Sequence, residues 1–328
     1  LVIGGGGYIG SVLSGLLLER GYRVTVLDSF LYGDESLNWA KGRKDIRIVR
    51  GDTRHIEDLV EAMRSADAVV HLAELVGDPA CEQDPTETLQ TNYLATRLIA
   101  SMCKYLQINR LVYTSSCSVY GASESEELLH EGSPLSPVSL YARMKIESER
   151  ALLEMMDENF SPTILRLATV YGASNRPRFD LVVNTLSAKA AADKEIPVFG
   201  GSQWRPHVHV ADVGRAIVAV LESPLEKVRG EIFNAGSEEQ NLTIADLGRM
   251  VERLTPGARL KIEGVVQDPR NYRVNFAKIS TQLDFRPSKT IEDGVREIQH
   301  LISSGKVKDY RDKRYSNQAA LRDKNPSS

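Results

Sequence analysis

Tyr141 and Lys145 stand four residues apart in a stretch whose apolar spacing predicts a helix over 140–156, so both side chains project from one face a turn apart. A lysine ammonium beside a phenol stabilises the phenolate. It draws the tyrosine pKa down from about 10 toward the operating range, which is the condition for a general base. Taken alone, such a pair is more often a plain helix surface. Upstream, however, Thr114-Ser115-Ser116-Cys117-Ser118-Val119-Tyr120-Gly121 follows an apolar strand. A hydroxyl at the end of that strand is expected to bond the same substrate oxygen that Tyr141 deprotonates.

A second chemical feature is the run Gly4-Gly5-Gly6-Gly7-Tyr8-Ile9-Gly10, set between the apolar Leu1-Val2-Ile3 and a helical pattern starting near Val12. Gly5, Gly7 and Gly10 have the G-x-G-x-x-G spacing. The first is expected to make the tight turn, the second to let backbone approach a pyrophosphate, and the third to let the helix pack close on the strand. The helix N-terminus then offers unpaired N–H groups and a positive dipole end to phosphate. Gly21 closes this helix, and 22–28 reads as a second strand ending in Asp28, eighteen residues beyond Gly10. A carboxylate there accepts hydrogen bonds from ribose hydroxyls and repels a 2′-phosphate, so NAD is expected rather than NADP.

The elements that must position these groups alternate along the chain. Strand patterns at 46–49, 68–73, 111–114 and 163–167 are separated by amphipathic stretches at 56–63, 88–105 and 140–156. Alternation of this kind predicts an α/β, doubly wound parallel sheet of the Rossmann type, with a smaller C-terminal substrate-binding lobe. The expected Rossmann domain spans 1–171, with 205–235 returning to it. The lobe takes 172–204 and 236–302, and 303–328 forms a charged tail, solvated or wrapped on a partner. The chain begins at Leu1 inside a strand, so a few residues are expected to precede it.

Composition narrows the classes. The 328 residues are 42% hydrophobic and 26% charged, as in an ordinary globular protein, and 41 basic against 44 acidic residues leave a net charge of −3. That balance argues against a nucleic-acid binder. No apolar run is long enough for a transmembrane helix. Three cysteines, Cys81, Cys103 and Cys117, are too few and too unpatterned for a disulfide framework or zinc site, so a cytoplasmic protein is expected. His207 and His209 alternate on a strand without acidic or thiol partners at ligand spacing and read as structural; no metal is expected.

Together these motifs resemble the extended short-chain dehydrogenase/reductases, the NAD-dependent nucleotide-sugar epimerase/dehydratase group, over essentially all of residues 1–300. The matching landmarks are Gly4-x-x-Gly7-x-x-Gly10, Asp28, Gly51-Asp52, His71-Leu72-Ala73, Asn92, Ser115-Ser116 with Val119-Tyr120-Gly121, Tyr141-x-x-x-Lys145, Arg166-Leu167 with Val170-Tyr171-Gly172, and His207 to Val210 with Asp212. The resemblance implies Tyr141 as catalytic base, Lys145 as its electrostatic partner and a ribose ligand, and Ser116 as the hydroxyl that orients the substrate. Hydride would pass from a sugar carbon, usually carbon 4, to the nicotinamide. Cofactor contacts are implied for Gly4, Gly7, Tyr8, Ile9, Gly10, Asp28, Asp52, Leu72, Ala73 and Asn92. For the sugar nucleotide, Arg205 and the Arg270 of Asp268-Pro269-Arg270 are expected at the diphosphate, where a planar guanidinium suits paired phosphate oxygens. Arg176 and Arg178 are further candidates, and Glu74, Thr169 and Asn184 complete the expected substrate set.

Departures from the family pattern bear on the chemistry. Sugar 4,6-dehydratases carry Asp-Glu after the Ser116 position, whereas this chain has Cys117-Ser118, which counts against 4,6-dehydration. Cys117 is expected either as an acid or base in a 3- or 5-epimerisation or as a small buried core residue. Glu74 replaces a small residue, and Thr169 stands where Asn is common. The leading expectation is epimerisation of a nucleoside-diphosphate sugar through a 4-keto intermediate. Second comes a 4-dehydrogenase or ketoreductase, since 75–81, 166–172 and 178–184 are similar to a branch with GDP-heptose 4-dehydrogenases. A non-catalytic NAD-binding module is a third reading, whose expected mark, loss of Tyr141 or Lys145, is absent. The resemblance also implies a homodimer.

Overall fold

The computed structural model describes residues 1–123, 127–264 and 270–322; Asp268 and Pro269 of the arginine motif, and residues 323–328 of the expected tail, lie outside the described residues. Seven strands form one parallel sheet: β1 (Val2–Ile3), β2 (Val24–Asp28), β3 (Ile46–Arg50), β4 (Ala68–His71), β5 (Arg110–Ser116), β6 (Ser161–Leu167) and, much later in the chain, β10 (Ile232–Ala235). Their order is β10-β6-β5-β4-β1-β2-β3. The chain therefore winds outward from β1 to β3, crosses to β4 and winds the other way. The switch lies between β1 and β4, where Val2 pairs with Val70 and Ile3 with His71, and crossovers diverging at such a point open a cleft beyond the strand ends.

The strands read as apolar runs because helices cover both faces. One core packs the helix Gly10–Glu19 and the helix Val210–Glu222 on the sheet through Leu13, Leu17, Val213 and Ile217. The other packs the helices Ile56–Met63, Ala95–Tyr105 and Leu140–Glu154 through Leu59, Ile99, Cys103 and Leu152.

The expected helix over 88–105 is interrupted. Pro85–Thr88 makes a short turn, Leu89–Leu94 a wide π-type turn, and only then does the regular helix begin. The cause is Asn92, whose carbonyl accepts from Thr96 Oγ1 (2.6 Å) and Ser148 Oγ (3.1 Å) and whose side chain bonds the backbone of Leu75.

A smaller lobe holds two further sheets. One has the order β11-β9-β7, with β7 (Thr169–Tyr171), β9 (Trp204–His209) and β11 (Asn241–Thr243); the other pairs β8 (Glu195–Phe199) with β12 (Arg259–Glu263). Residues 205–209, expected to return to the large sheet, lie instead in the three-stranded one, since His207 pairs with Thr169. The segment expected as a solvated charged tail is also packed. Val307 and Tyr310 are buried against Phe179 and Ile298, because its few apolar residues are gathered on the side facing the lobe.

A buried ion pair ties the Leu140–Glu154 helix to the sheet. Glu149 Oε2 meets Arg166 Nη2 at 2.7 Å with both side chains under 5% exposed, and Arg166 donates to Tyr120, which donates to Asn234. Substituting one member strands the other charge, so Arg166→Met is expected to destabilise the fold by about 3–5 kcal/mol in urea denaturation.

Candidate active site

The turn after β1 is built by close backbone approach. Gly4 takes φ +83°, and a Cβ on Gly10 would sit 2.1 Å from the Gly4 carbonyl oxygen. The left-handed turn thus falls on Gly4 and not on Gly5, as the G-x-G-x-x-G reading had it, while Gly10 gives the helix its close seat. Asp28, at the end of β2, accepts from Gly6 N (2.8 Å) and Phe30 N (2.7 Å), and burial pushes its carboxyl above the usual range. Each oxygen keeps a further acceptor lone pair.

A cavity of about 600 Å³ opens above this turn, between the ends of β1, β2 and β4. Gly4, Gly7, Tyr8, Ile9, Gly10, Asp28, Asp52, Leu72 and Ala73, expected as cofactor contacts, all line it, as do Glu74, Arg176 and Arg178 from the expected substrate set. Its size suits a small-molecule site. Two features fit a dinucleotide phosphate: the first helix, whose N-terminus Gly10 seats tightly on the glycine turn that lines the cavity, and the buried Nε of Arg176, which has no hydrogen-bond partner.

Several expected ligands are spent on structure. Asn92 is buried and outside the cavity lining; its amide accepts from Leu75 N and donates to Leu75 O, both at 2.9 Å. Asn184 is fully buried, accepting from Gly172 N (2.9 Å) and donating to Arg178 O (2.9 Å) and Tyr8 Oη (3.2 Å). Both are positioning residues: a carboxamide that satisfies a loop's backbone groups has little left for a ligand. Asp52 holds Arg54 by two hydrogen bonds, which keeps its carboxyl below the usual range. Arg178 lines the cavity and makes a two-pronged pair with Asp180.

The residues expected to be catalytic meet at the ends of β4 and β5. Ser139 Oγ accepts from Ala142 N and starts the helix that carries Tyr141. Lys145 Nζ, on the next turn, lies 5.6 Å from the centre of the Tyr141 ring and 4.7 Å from that of Tyr113, donates to Thr114 O (2.5 Å) and pairs with Glu74 Oε2 (2.6 Å). Glu74 also accepts from Tyr113 Oη at 2.7 Å. Neither member of the pair is more than 5% exposed. This overturns the expectation that Lys145 draws the Tyr141 phenol down. Burial pushes the phenol well above its ordinary value, and the Glu74 carboxylate adds to the rise. Tyr113 and His71, the latter held neutral by burial with its pKa lowered to about 3, complete the floor under Lys145. The sequence marked His71 only as a landmark of the resemblance and Tyr113 not at all, because both lie within strand patterns that packing alone accounts for.

Ser116 ends β5, and its Oγ accepts from Ser118 N at 3.1 Å. Cys117 is buried in the core, donates to Arg166 O (3.3 Å) and has its thiol pushed well above the ordinary range by burial. Of the two expectations for Cys117, its place in the core and a thiol held protonated by burial favour the buried core residue. Arg205 and Arg270 come together: the Arg205 guanidinium bonds the Arg270 carbonyl, and Arg270 pairs with Asp78 (2.9 Å), which accepts from Ser139 Oγ (2.7 Å) at the start of the Tyr141 helix. Thr169 begins β7 and is half-buried. His207 bonds Gln240 O, and His209 pairs with Glu297 at 2.8 Å. No cluster among the described residues is suited to hold a metal ion.

A model of the NAD dependent epimerase/dehydratase family matches residues 1–236. The chain is 28% identical to UDP-glucose 4-epimerase of Corynebacterium glutamicum over 309 residues, 88% of this chain and 91% of the relative. It is 27% identical to UDP-N-acetyl-alpha-D-glucosaminuronate decarboxylase of Bacillus cytotoxicus over 313 residues, 90% and 95% of the two chains. Among solved structures it is similar to UDP-glucuronic acid 4-epimerase from Bacillus cereus in complex with UDP-glucuronic acid and NAD. The TM-score is 0.82 at 25% identity, with 92% of this chain and 98% of the other covered.

Because the Glu74 carboxylate raises the Tyr141 phenol, Glu74→Gln is expected to move the ascending limb of the turnover-against-pH profile to lower pH. A profile measured for both proteins on one substrate checks this. Cys117→Ala is expected to keep turnover within a few-fold.

Proposed function

The chain belongs to the NAD dependent epimerase/dehydratase family, and from that premise we propose that it interconverts carbon-4 epimers of a nucleoside-diphosphate sugar through a 4-keto intermediate. When bound beside the glycine turn, NAD would supply the reversible hydride acceptor that such an interconversion at carbon 4 needs. The observation that carries the reading is the meeting of Tyr141 and Lys145, one helical turn apart, with Glu74 on the wall of the cavity floored by the glycine turn.

In this reading the Tyr141 phenolate takes the proton of the 4-hydroxyl as the carbon–hydrogen bond breaks and the carbonyl forms. On reduction the same phenol returns the proton, so protons and electrons balance over the cycle. Lys145, beside the Tyr141 ring and paired with Glu74, offsets the charge of the phenolate as it forms. Ser116 orients the reacting oxygen, and Arg205 with Arg270 holds the diphosphate of the sugar nucleotide. The 4-epimerases among the similar proteins support the reaction type. The inert Cys117 and the hydroxyl of Ser118 supply no carboxylate pair for removing water, which favours epimerisation over dehydration.

The reading includes a cytoplasmic homodimer. Exposed Leu89, Leu94 and Tyr105, on the segment packed beside the Tyr141 helix, support an association face, and three buried free thiols suit a reducing compartment. Light scattering on the eluting protein tests the dimer.

The activity is tested by incubating the protein with UDP-, GDP- and dTDP-sugars while following cofactor absorbance and carbon-4 configuration by NMR. Epimerisation without net NADH is expected. One equivalent of NADH with a released keto sugar would identify a 4-dehydrogenase instead, and silence across the panel with NAD bound would indicate a binding module. Tyr141→Phe is expected to lower turnover by about 10²–10⁴-fold while retaining cofactor.

A further inference from the structure

Three arginines line the cofactor cavity, and two have their charge answered by carboxylates. Arg54 pairs with Asp52 and Glu87, and Arg178 pairs with Asp180. Arg176 has no carboxylate within ion-pair distance among the described residues, although it is only 6% exposed. Its guanidinium lies 4.1 Å over the Tyr32 ring, Nη1 donates to Asn317 Oδ1 (2.7 Å) and Nη2 to Arg314 O (3.4 Å), while the buried Nε has no partner. A buried cation with an idle donor is costly in water-poor surroundings unless an anion joins it.

The position of Arg176 says which anion. Its loop is docked on the glycine turn itself: Tyr8 Oη donates to Gly172 O (2.7 Å), Ser174 Oγ to Tyr8 O (2.6 Å), and Ser174 Oγ also meets Ser11 Oγ (3.2 Å) on the first helix. Two residues past Ser174, Arg176 therefore faces the cavity beside the turn whose N–H groups serve phosphate. The C-terminal segment completes this wall. Asn317 N donates to Asp180 Oδ2 and Asn317 Nδ2 to Val76 O, both at 3.1 Å, so the Asn317 side chain bridges Arg176 and the backbone at Val76, two lining residues of the cavity, while Leu321 also lines it.

We propose that Arg176, held by Asn317, is a ligand of the cofactor's pyrophosphate, and that the segment beginning at Asn317 straps the cofactor in place between turnovers. The inference rests on NAD as the cofactor and holds for any sugar nucleotide. It moves Arg176 from the sugar-nucleotide diphosphate, its expected place, to the cofactor. Retention of the cofactor is also what returning hydride to the same sugar requires.

The test strips bound nucleotide from the full-length protein and titrates NAD and, separately, UDP into wild type, Arg176→Met, Arg176→Lys, Asn317→Ala and a chain ending at Ser316. Thermal unfolding is recorded for each. The expected results are a loss of NAD affinity of about 10–100-fold in Arg176→Met, partial recovery in Arg176→Lys, and faster NAD release from Asn317→Ala and the shortened chain. UDP affinity should stay unchanged throughout. If Arg176→Met fails to fold, Asn317→Ala and Arg176→Lys carry the comparison. Unchanged NAD affinity and release would overturn the proposal, as would lost UDP affinity with NAD binding intact, which returns Arg176 to the sugar nucleotide. A folded wild type that takes up no NAD would overturn the cofactor assignment itself.

Discussion

A lysine ammonium and a glutamate carboxylate meet at 2.6 Å where almost no water reaches either, and the site is arranged around that contact. Removing two charges from water is tolerable only when each is paired and its remaining hydrogen-bonding capacity is used. Lys145 Nζ also donates to the Thr114 carbonyl, and Glu74 accepts the Tyr113 hydroxyl. The pair thereby pins the loop after β4, the end of β5 and the Tyr141 helix to one point. The same contact sets the electrostatics: with the ammonium answered by Glu74, burial dominates at Tyr141 and its phenol holds its proton. Glu74 thus adds to the rise that burial imposes on the Tyr141 phenol.

Around that point the polar groups divide by what is left over after backbone needs are met. Loops converging on a cavity bury amide groups that must find partners. Asn92 and Asn184 meet this need for 75 and for 172–178, and the Tyr8 hydroxyl does the same for Gly172. Arginines show the complement of this rule. Arg54 and Arg178 are neutralised locally and shape the walls, whereas Arg176 retains charge and an idle donor.

Much of this molecule was legible in residue order. Apolar runs of strand length alternating with amphipathic stretches pointed to a parallel sheet, since periodicity reports which faces are covered. The glycine turn was legible because sterics forbid a side chain at Gly10, although the left-handed φ fell on Gly4. Tyr141 and Lys145 were legible because four residues make one helical turn. The return to the large sheet was placed too early, since β9 has the same apolar texture whether it pairs with β10 or β7. The segment after 303 read as solvated because its charges outnumber its apolar residues, yet Val307 and Tyr310 suffice to dock it on Phe179.

The sequence by itself determined the sheet class, the dinucleotide turn, the Tyr141 and Lys145 spacing and the absence of a carboxylate pair after Ser116, because each is a property of neighbouring residues. Only the tertiary structure decided that Glu74 faces Lys145, that Cys117 lies in the core, that Asn92 and Asn184 hold loops, and that Asn317 reaches a cavity begun at Gly4. Those facts depend on which distant groups meet and how much water is left between them. Burial and long-range pairing set charge, protonation and access, and no local pattern of residue types records them.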